Sequence, residues 1–171
     1  MNANQPIHSI SLNTAAILTG RSIRTWQRRI EEGLVPRLND ARERALIPFH
    51  AVQTALALAL NDEDVQTLVR ADRGNVAAQA EMGALFSLAA LNDPKSGGVM
   101  PAFYFLTMAA ELGEADAMHW LSILYAAGLG KDGDNCAALA LMWLAKAAAY
   151  GQVIAQHQVA ALIGASQKVN R

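Results

Sequence analysis

The chain has 171 residues, 53% of them apolar and 17% charged, a balance that supports a packed core and argues against an intrinsically disordered chain. The net charge of −1 conceals an asymmetry: residues 1–50 hold seven arginines against four acids, the remainder seven Lys and Arg against eleven acids. A basic head on an acidic body points to two halves with different partners.

The single cysteine, Cys136, has no mate for an internal disulfide, which fits a reducing compartment. The first 20 residues lack a basic start followed by a continuous apolar stretch, so no secretory signal is expected. The most apolar run, 136–145, ends at Lys146 and is too short to span a bilayer. The expected location is cytoplasmic, with no membrane partner.

In chain order, residues 1–10 read as an arm with a short strand at 8–10. Ser11 or Asn13 can cap a helix over 14–18, which Gly20 stops. Ser22 caps a second helix over 23–31, which Gly33 stops, so the two helices have helix-turn-helix spacing. Leu34-Val35-Pro36 leaves that helix in extended form. Residues 37–47 then read as a two-stranded hairpin with Asn39-Asp40 at its tip. Pro48 suits the first turn of a helix over 49–60. Asn61-Asp62 breaks it and caps another helix to about Arg70, and Asp72-Arg73-Gly74 is a boundary.

On a helix starting at Ile23, Arg24, Gln27 and Arg28 lie on one side, opposite Ile23, Trp26 and Ile30. Guanidinium groups suit phosphate oxygens and the O6/N7 edge of guanine, and a glutamine suits adenine. Arg24 and Arg28 are thus candidate phosphate or base contacts, Gln27 a candidate base reader, and Arg42 and Arg44 candidate anchors on the hairpin. Arg21, Ser22 and Thr25 complete the candidate DNA-binding set. The competing reading is a solvated basic face, partly neutralised by Glu31, Glu32 and Glu43. Trp26 reads as core rather than as a platform for bases.

Residues Ser11-Leu12, Ala16, Leu18-Thr19-Gly20, Ser22, Arg24-Thr25, Glu31, Gly33-Leu34 and Pro36 stand in unbroken register. In them the first sixty or so residues resemble the MerR and excisionase-like DNA-binding domains. The resemblance implies a small winged helix-turn-helix that binds double-stranded DNA. Two departures stand out: Arg28-Arg29 replaces the aromatic pair usual there, and Ala41-Arg42-Glu43-Arg44 replaces a Gly-Tyr-Arg wing. The long dimerising helix and effector pocket of full-length MerR regulators are absent.

Beyond residue 74 the chain repeats. Gly74, Gly113 and Gly151 stand 39 and 38 residues apart, a period that marks stacked helix pairs. In register on these glycines, Ala78, Ala117 and Ala155 share a column, as do Met82, Leu121 and Val159, and Leu85, Leu124 and Leu162. The second helices pair Ala102 with Ala140, Phe105 with Trp143, and Leu106 with Leu144. The middle copy carries Ala117, Leu121, Tyr125, Gly128, Gly130, Asp134, Ala140, Trp143, Lys146, Ala147, Ala148 and Gly151, and so resembles the Sel-one-like repeat, a tetratricopeptide relative. That family implies an all-helical scaffold for protein–protein contacts without chemistry of its own. The last copy has one helix, from 152 to about 166, which is expected to cap the stack.

Tyr104, Trp120, Tyr150 and His157 are candidates for a partner-binding groove, though inter-helix filling accounts for each aromatic as well. His119 and His157 occupy equivalent repeat positions, but neither has a second ligand at i+4, so no metal site is expected. Gly128-Leu129-Gly130 follows no strand and precedes no Gly-Lys-Ser/Thr, so it is not a phosphate loop. With no nucleophile, base and orienting residue to assemble, neither an enzyme nor a cofactor is expected.

The expectation is an all-α fold with a small β-hairpin wing: a winged helix-turn-helix over 1–60, a connecting helix over 61–73 and an α-solenoid over 74–171. The expected function is a DNA-binding transcriptional regulator whose repeats dimerise or recruit a protein. The runner-up is a protein-only adaptor whose head also docks on protein. A palindromic target would imply a homodimer, with 49–70 as its interface.

Overall fold

Ser11 closes a short strand and opens a helix, and the amino-terminal part is built around that junction. The computed structural model describes residues 8–40, 43–56, 58–130 and 133–169; they are mostly helical, with one small three-stranded antiparallel sheet. Strand β1 (Ser9–Ser11) runs into helix α1 (Leu12–Thr19). The Ser11 hydroxyl accepts from the Thr14 amide at 3.2 Å, and Gly20 ends the helix in the left-handed conformation, as its lack of a Cβ permits. Helix α2 (Ile23–Glu31) starts at Ser22, whose hydroxyl accepts from the Thr25 amide at 3.1 Å.

Strands β2 (Leu38–Asn39) and β3 (Ala45–Pro48) form a hairpin where one was expected, but its tip is not at Asn39-Asp40, because Asn39 pairs with Ala45 inside the ladder. It does not stand alone: β3 is the middle strand, with β1 on its other edge. Ile10 lies opposite Ile47 and Leu38 opposite Leu46. Ile10 and Ile47 are fully buried, so the pairing carries the sheet into the core.

The expected helix over 49–60 is corrected. Only α3 (His50–Gln53) is helical, and Pro48 ends β3 instead of opening a helix. Residues 55–60 alternate Ala and Leu, a period of two. Leu56, Leu58 and Leu60 are not helical, and all three pack on the core.

Helix α4 (Asp62–Asp72) opens with a reciprocal capping box. Asn61 Oδ1 accepts from the Asp64 amide and Asp64 Oδ2 from the Asn61 amide, both at 3.0 Å. Its last residue latches the first element. Asp72 accepts from the Ser11 amide at 2.9 Å and the Ser11 hydroxyl at 2.6 Å, and also from the Thr14 hydroxyl. A carboxylate at the start of α1 also meets the positive end of that helix.

Helices α5 (Val76–Asn92), α6 (Val99–Glu111), α7 (Ala115–Ala126), α8 (Cys136–Ala149) and α9 (Val153–Val169) follow, each packed on the next. Helices α5 and α7 also touch. Ala78, Ala117 and Ala155 are all fully buried, so the small-residue column is the line of close approach. Phe86 and Phe105 stack between α5 and α6 at 6.4 Å. Gly83 sits where a Cβ would fall 2.5 Å from Leu106 Cδ2, which lets α6 press against α5.

Burial fades towards α9. Met82 and Leu121 are buried, whereas Leu162 is 49% and Ile163 55% exposed. The expectation that the last helix caps the stack is therefore corrected. A cap turns a polar face outward, and α9 leaves apolar side chains bare. No described helix is long and apolar enough to cross a membrane.

Candidate nucleic-acid interface

Helix α2 is amphipathic by sequence, and its apolar side fixes which side faces out. Trp26 is fully buried and Ile30 half-buried, while Arg24, Gln27 and Arg28 are exposed. Ile23, expected with the apolar set, is the first residue of α2 and is 41% exposed. Helix α1 packs on both α2 and α6. The outer side of α2 stays open in the intact chain, and the helical stack does not wall it off.

The arginines differ in how they are held. Arg24 carries no hydrogen bond or ion pair among the described residues. Arg28 Nε lies 3.6 Å from Glu32 Oε1, one turn along α2, with both side chains more than half exposed. Such a surface pair contributes about 0.3–0.5 kcal/mol and yields readily to another anion. The guanidiniums of Arg29 and Arg21 lie over the Trp26 ring system, 5.4 and 6.0 Å from the ring centre. These contacts tie both guanidiniums to the indole. The Trp26 Nε1–H is buried without a hydrogen-bond partner.

Ser22 and Thr25 serve the helix first. The Ser22 hydroxyl caps α2, and the two hydroxyls share a hydrogen bond of 2.9 Å. At the hairpin, Arg44 Nε donates to Asp40 Oδ2 at 2.6 Å, and the Arg44 amide donates to Asp40 Oδ1 at 2.8 Å. That hydrogen bond, with the charge of Asp40, raises the Arg44 pKa above its ordinary value. A phosphate would have to compete with this carboxylate for Arg44. Arg42, the other candidate on the hairpin, lies outside the described residues.

The four candidate partner residues do not share one surface. Trp120 lies in a groove of about 520 Å³ with His119, Ala80, Ala84 and Ile154, formed by α5, α7 and α9. Tyr104 faces the head, where its hydroxyl accepts from Asn13 Nδ2 at 2.8 Å. The Tyr150 ring, 61% exposed, lies beside Gly113 at a turn, and His157 is exposed on α9. His119 is buried and hydrogen-bonded through Nε2 to Gln158 Oε1 at 3.0 Å, a contact that ties α7 to α9. Among the described residues no group of three His, Cys, Asp or Glu is placed to hold a metal.

Two features had no signal in the sequence. Asp72 reaches Ser11 across 61 residues, and no local pattern marks such a partner. Residues of α1 and α6 also enclose an apolar cleft whose walls are not periodic with one another.

No family model matches this chain, and no curated protein and no solved structure matches it either.

Proposed function

We propose that the chain is a DNA-binding transcriptional regulator of the cytoplasm. In this reading the first sixty residues are a winged helix-turn-helix, and the helix pairs beyond residue 74 form a short solenoid that dimerises or recruits a protein. One observation carries the reading: Arg24, Gln27 and Arg28 project together from the open side of α2, in the presence of the whole helical stack. A helix with its apolar side sealed and a basic, amide-bearing side exposed has the form that enters a major groove. Ser22 and Thr25 at its start support it by fixing where the helix begins. Arg24, with no hydrogen bond or ion pair among the described residues, is the freer phosphate contact, and the loose pairing of Arg28 with Glu32 leaves Arg28 open to a phosphate as well.

The test is the salt dependence of binding to random duplex DNA by fluorescence anisotropy. Sequence-independent binding should fall with a Kd of about 10⁻⁴–10⁻⁶ M near physiological salt and weaken steeply as salt rises. In the double variant Arg24→Ala, Arg28→Ala, the salt slope should drop by roughly two, one for each lost phosphate contact. Binding that ignores both salt and the double substitution refutes the proposal.

A second reading, the protein-only adaptor, is favoured by the pairing of Arg44 with Asp40. That pair removes positive charge where a wing would meet the DNA backbone. A chain that fails to bind DNA but captures a protein through the exposed side of α2 would establish it.

A further inference from the structure

A cleft of about 840 Å³ lies between the amino-terminal part and the later helices. Its walls are Ile17 and Leu18 of α1, Leu56 after α3, Met100 and Phe103 of α6, and Leu129 after α7. None of its described lining residues carries a charge. The volume lies within the roughly 300–1,000 Å³ typical of small-molecule sites, which favour junctions between units and combine apolar walls with a few polar groups.

Two of those polar groups have defined capacity. Tyr104 Oη accepts from Asn13 Nδ2 at 2.8 Å, which leaves the phenol's own proton to donate. Thr19 Oγ1 donates to the Ala15 carbonyl at 2.7 Å, which leaves its oxygen to accept. A charged occupant would lose its hydration with no opposite charge to receive it. We infer that this cleft is a binding site for an uncharged, mainly hydrocarbon small molecule bearing a hydroxyl or carbonyl oxygen. The oxygen accepts from Tyr104, and a hydroxyl can in addition donate to Thr19. The occupant bridges α1 and α6, so it fastens the amino-terminal part to the repeats. The site stands whether or not α2 binds DNA.

The probe is N-phenyl-1-naphthylamine, an uncharged fluorophore, titrated into the full chain. One saturable site is expected, with the anionic 1-anilinonaphthalene-8-sulfonate binding at least tenfold more weakly. Thr107→Trp fills the cleft and Ala55→Glu puts a charge on its wall; each should weaken the neutral probe at least tenfold, with circular dichroism checking the fold. Ile163→Glu, on the exposed end of α9, should leave binding unchanged. Tyr104→Phe should leave the neutral hydrocarbon probe in place and weaken 1-naphthol severalfold, because it removes the hydroxyl that donates to the ligand oxygen. The inference is overturned if no saturable site is found or if both probes bind alike. It is equally overturned if Ile163→Glu removes the signal while Thr107→Trp and Ala55→Glu retain it. The probe comparison on the unaltered chain keeps the test decisive should a variant fail to fold.

Discussion

Trp26 and Asp72 show how single residues shape the amino-terminal part. Trp26 of α2 belongs to the core with no exposed surface, yet its indole N–H has no hydrogen-bond partner among the described residues. Trp26→Ala should destabilise the chain by about 3–5 kcal/mol, the range for emptying an aromatic core site. Trp26→Phe keeps an aromatic six-membered ring and discards the unsatisfied donor at the cost of a smaller cavity, so it should destabilise the chain less than Trp26→Ala. Urea unfolding measures both, and equal losses would place the indole N–H among the stabilising groups. Asp72 takes three hydrogen bonds from Ser11 and Thr14, and the Thr14 side it serves is buried. Asp72→Ala should cost about 2–3 kcal/mol, since it strands a buried hydroxyl and removes charge-assisted bonds. An unaltered unfolding midpoint would rule out the latch.

At the scale of elements, local chemistry set most boundaries. Ser11, Ser22 and Asn61 each cap a helix where their sequence neighbours require one. Packing between helices rests on finer detail, and two glycines separate its parts. Gly83 in α5 leaves room for Leu106, whose Cγ would lie 2.6 Å from an added Cβ and whose backbone N would lie 3.1 Å away. Gly83→Ala gains about 1 kcal/mol of helix propensity but overpacks a sealed contact at about 1–3 kcal/mol, so a net loss is expected. Gly164 in α9 has nothing within 4 Å of the same built atom. Gly164→Ala should therefore stabilise the chain by about 0.5–1 kcal/mol, propensity alone. Opposite shifts in the melting temperatures of these two variants check the argument; shifts of the same sign would contradict it.

Across the whole molecule, burial runs down from the centre to the carboxyl-terminal helix. Leu121 and Leu124 of α7 are fully buried, while Val153, Ile154, Leu162 and Ile163 of α9 are half exposed or more. A helix with few buried apolar side chains opens locally before one that is sealed in the core. Native-state hydrogen exchange should find α9 amides opening at lower free energy than those of α7. Uniform protection along the stack would mean that the end is covered in solution. The amino-terminal part is held differently. It joins the repeats through Asp72 of α4, through α1 on α6, and through the Asn13–Tyr104 bond. These contacts leave the open side of α2 exposed.

The sequence by itself determined the starts of α1, α2 and α4 at their cap residues, the presence of a hairpin and the 39- and 38-residue spacing of Gly74, Gly113 and Gly151, but not the end of the helix after Pro48. Each of those depends on neighbours a few residues apart, whose spacing is visible in the chain. It also foretold that Trp26 is buried and that Arg24, Gln27 and Arg28 share a side of α2, since both follow from helical period. The run 55–60 misleads: its Ala and Leu have helix propensity, yet the described residues there are not helical and their leucines pack on the core. Tertiary structure alone decided the rest: that Arg44 is held by Asp40, that Tyr104 faces the head rather than the groove of Trp120, that Asp72 seals the start of α1, and that a cleft opens between α1 and α6. Those outcomes depend on which distant surfaces meet, and contacts between residues tens of positions apart leave no periodic trace in the chain.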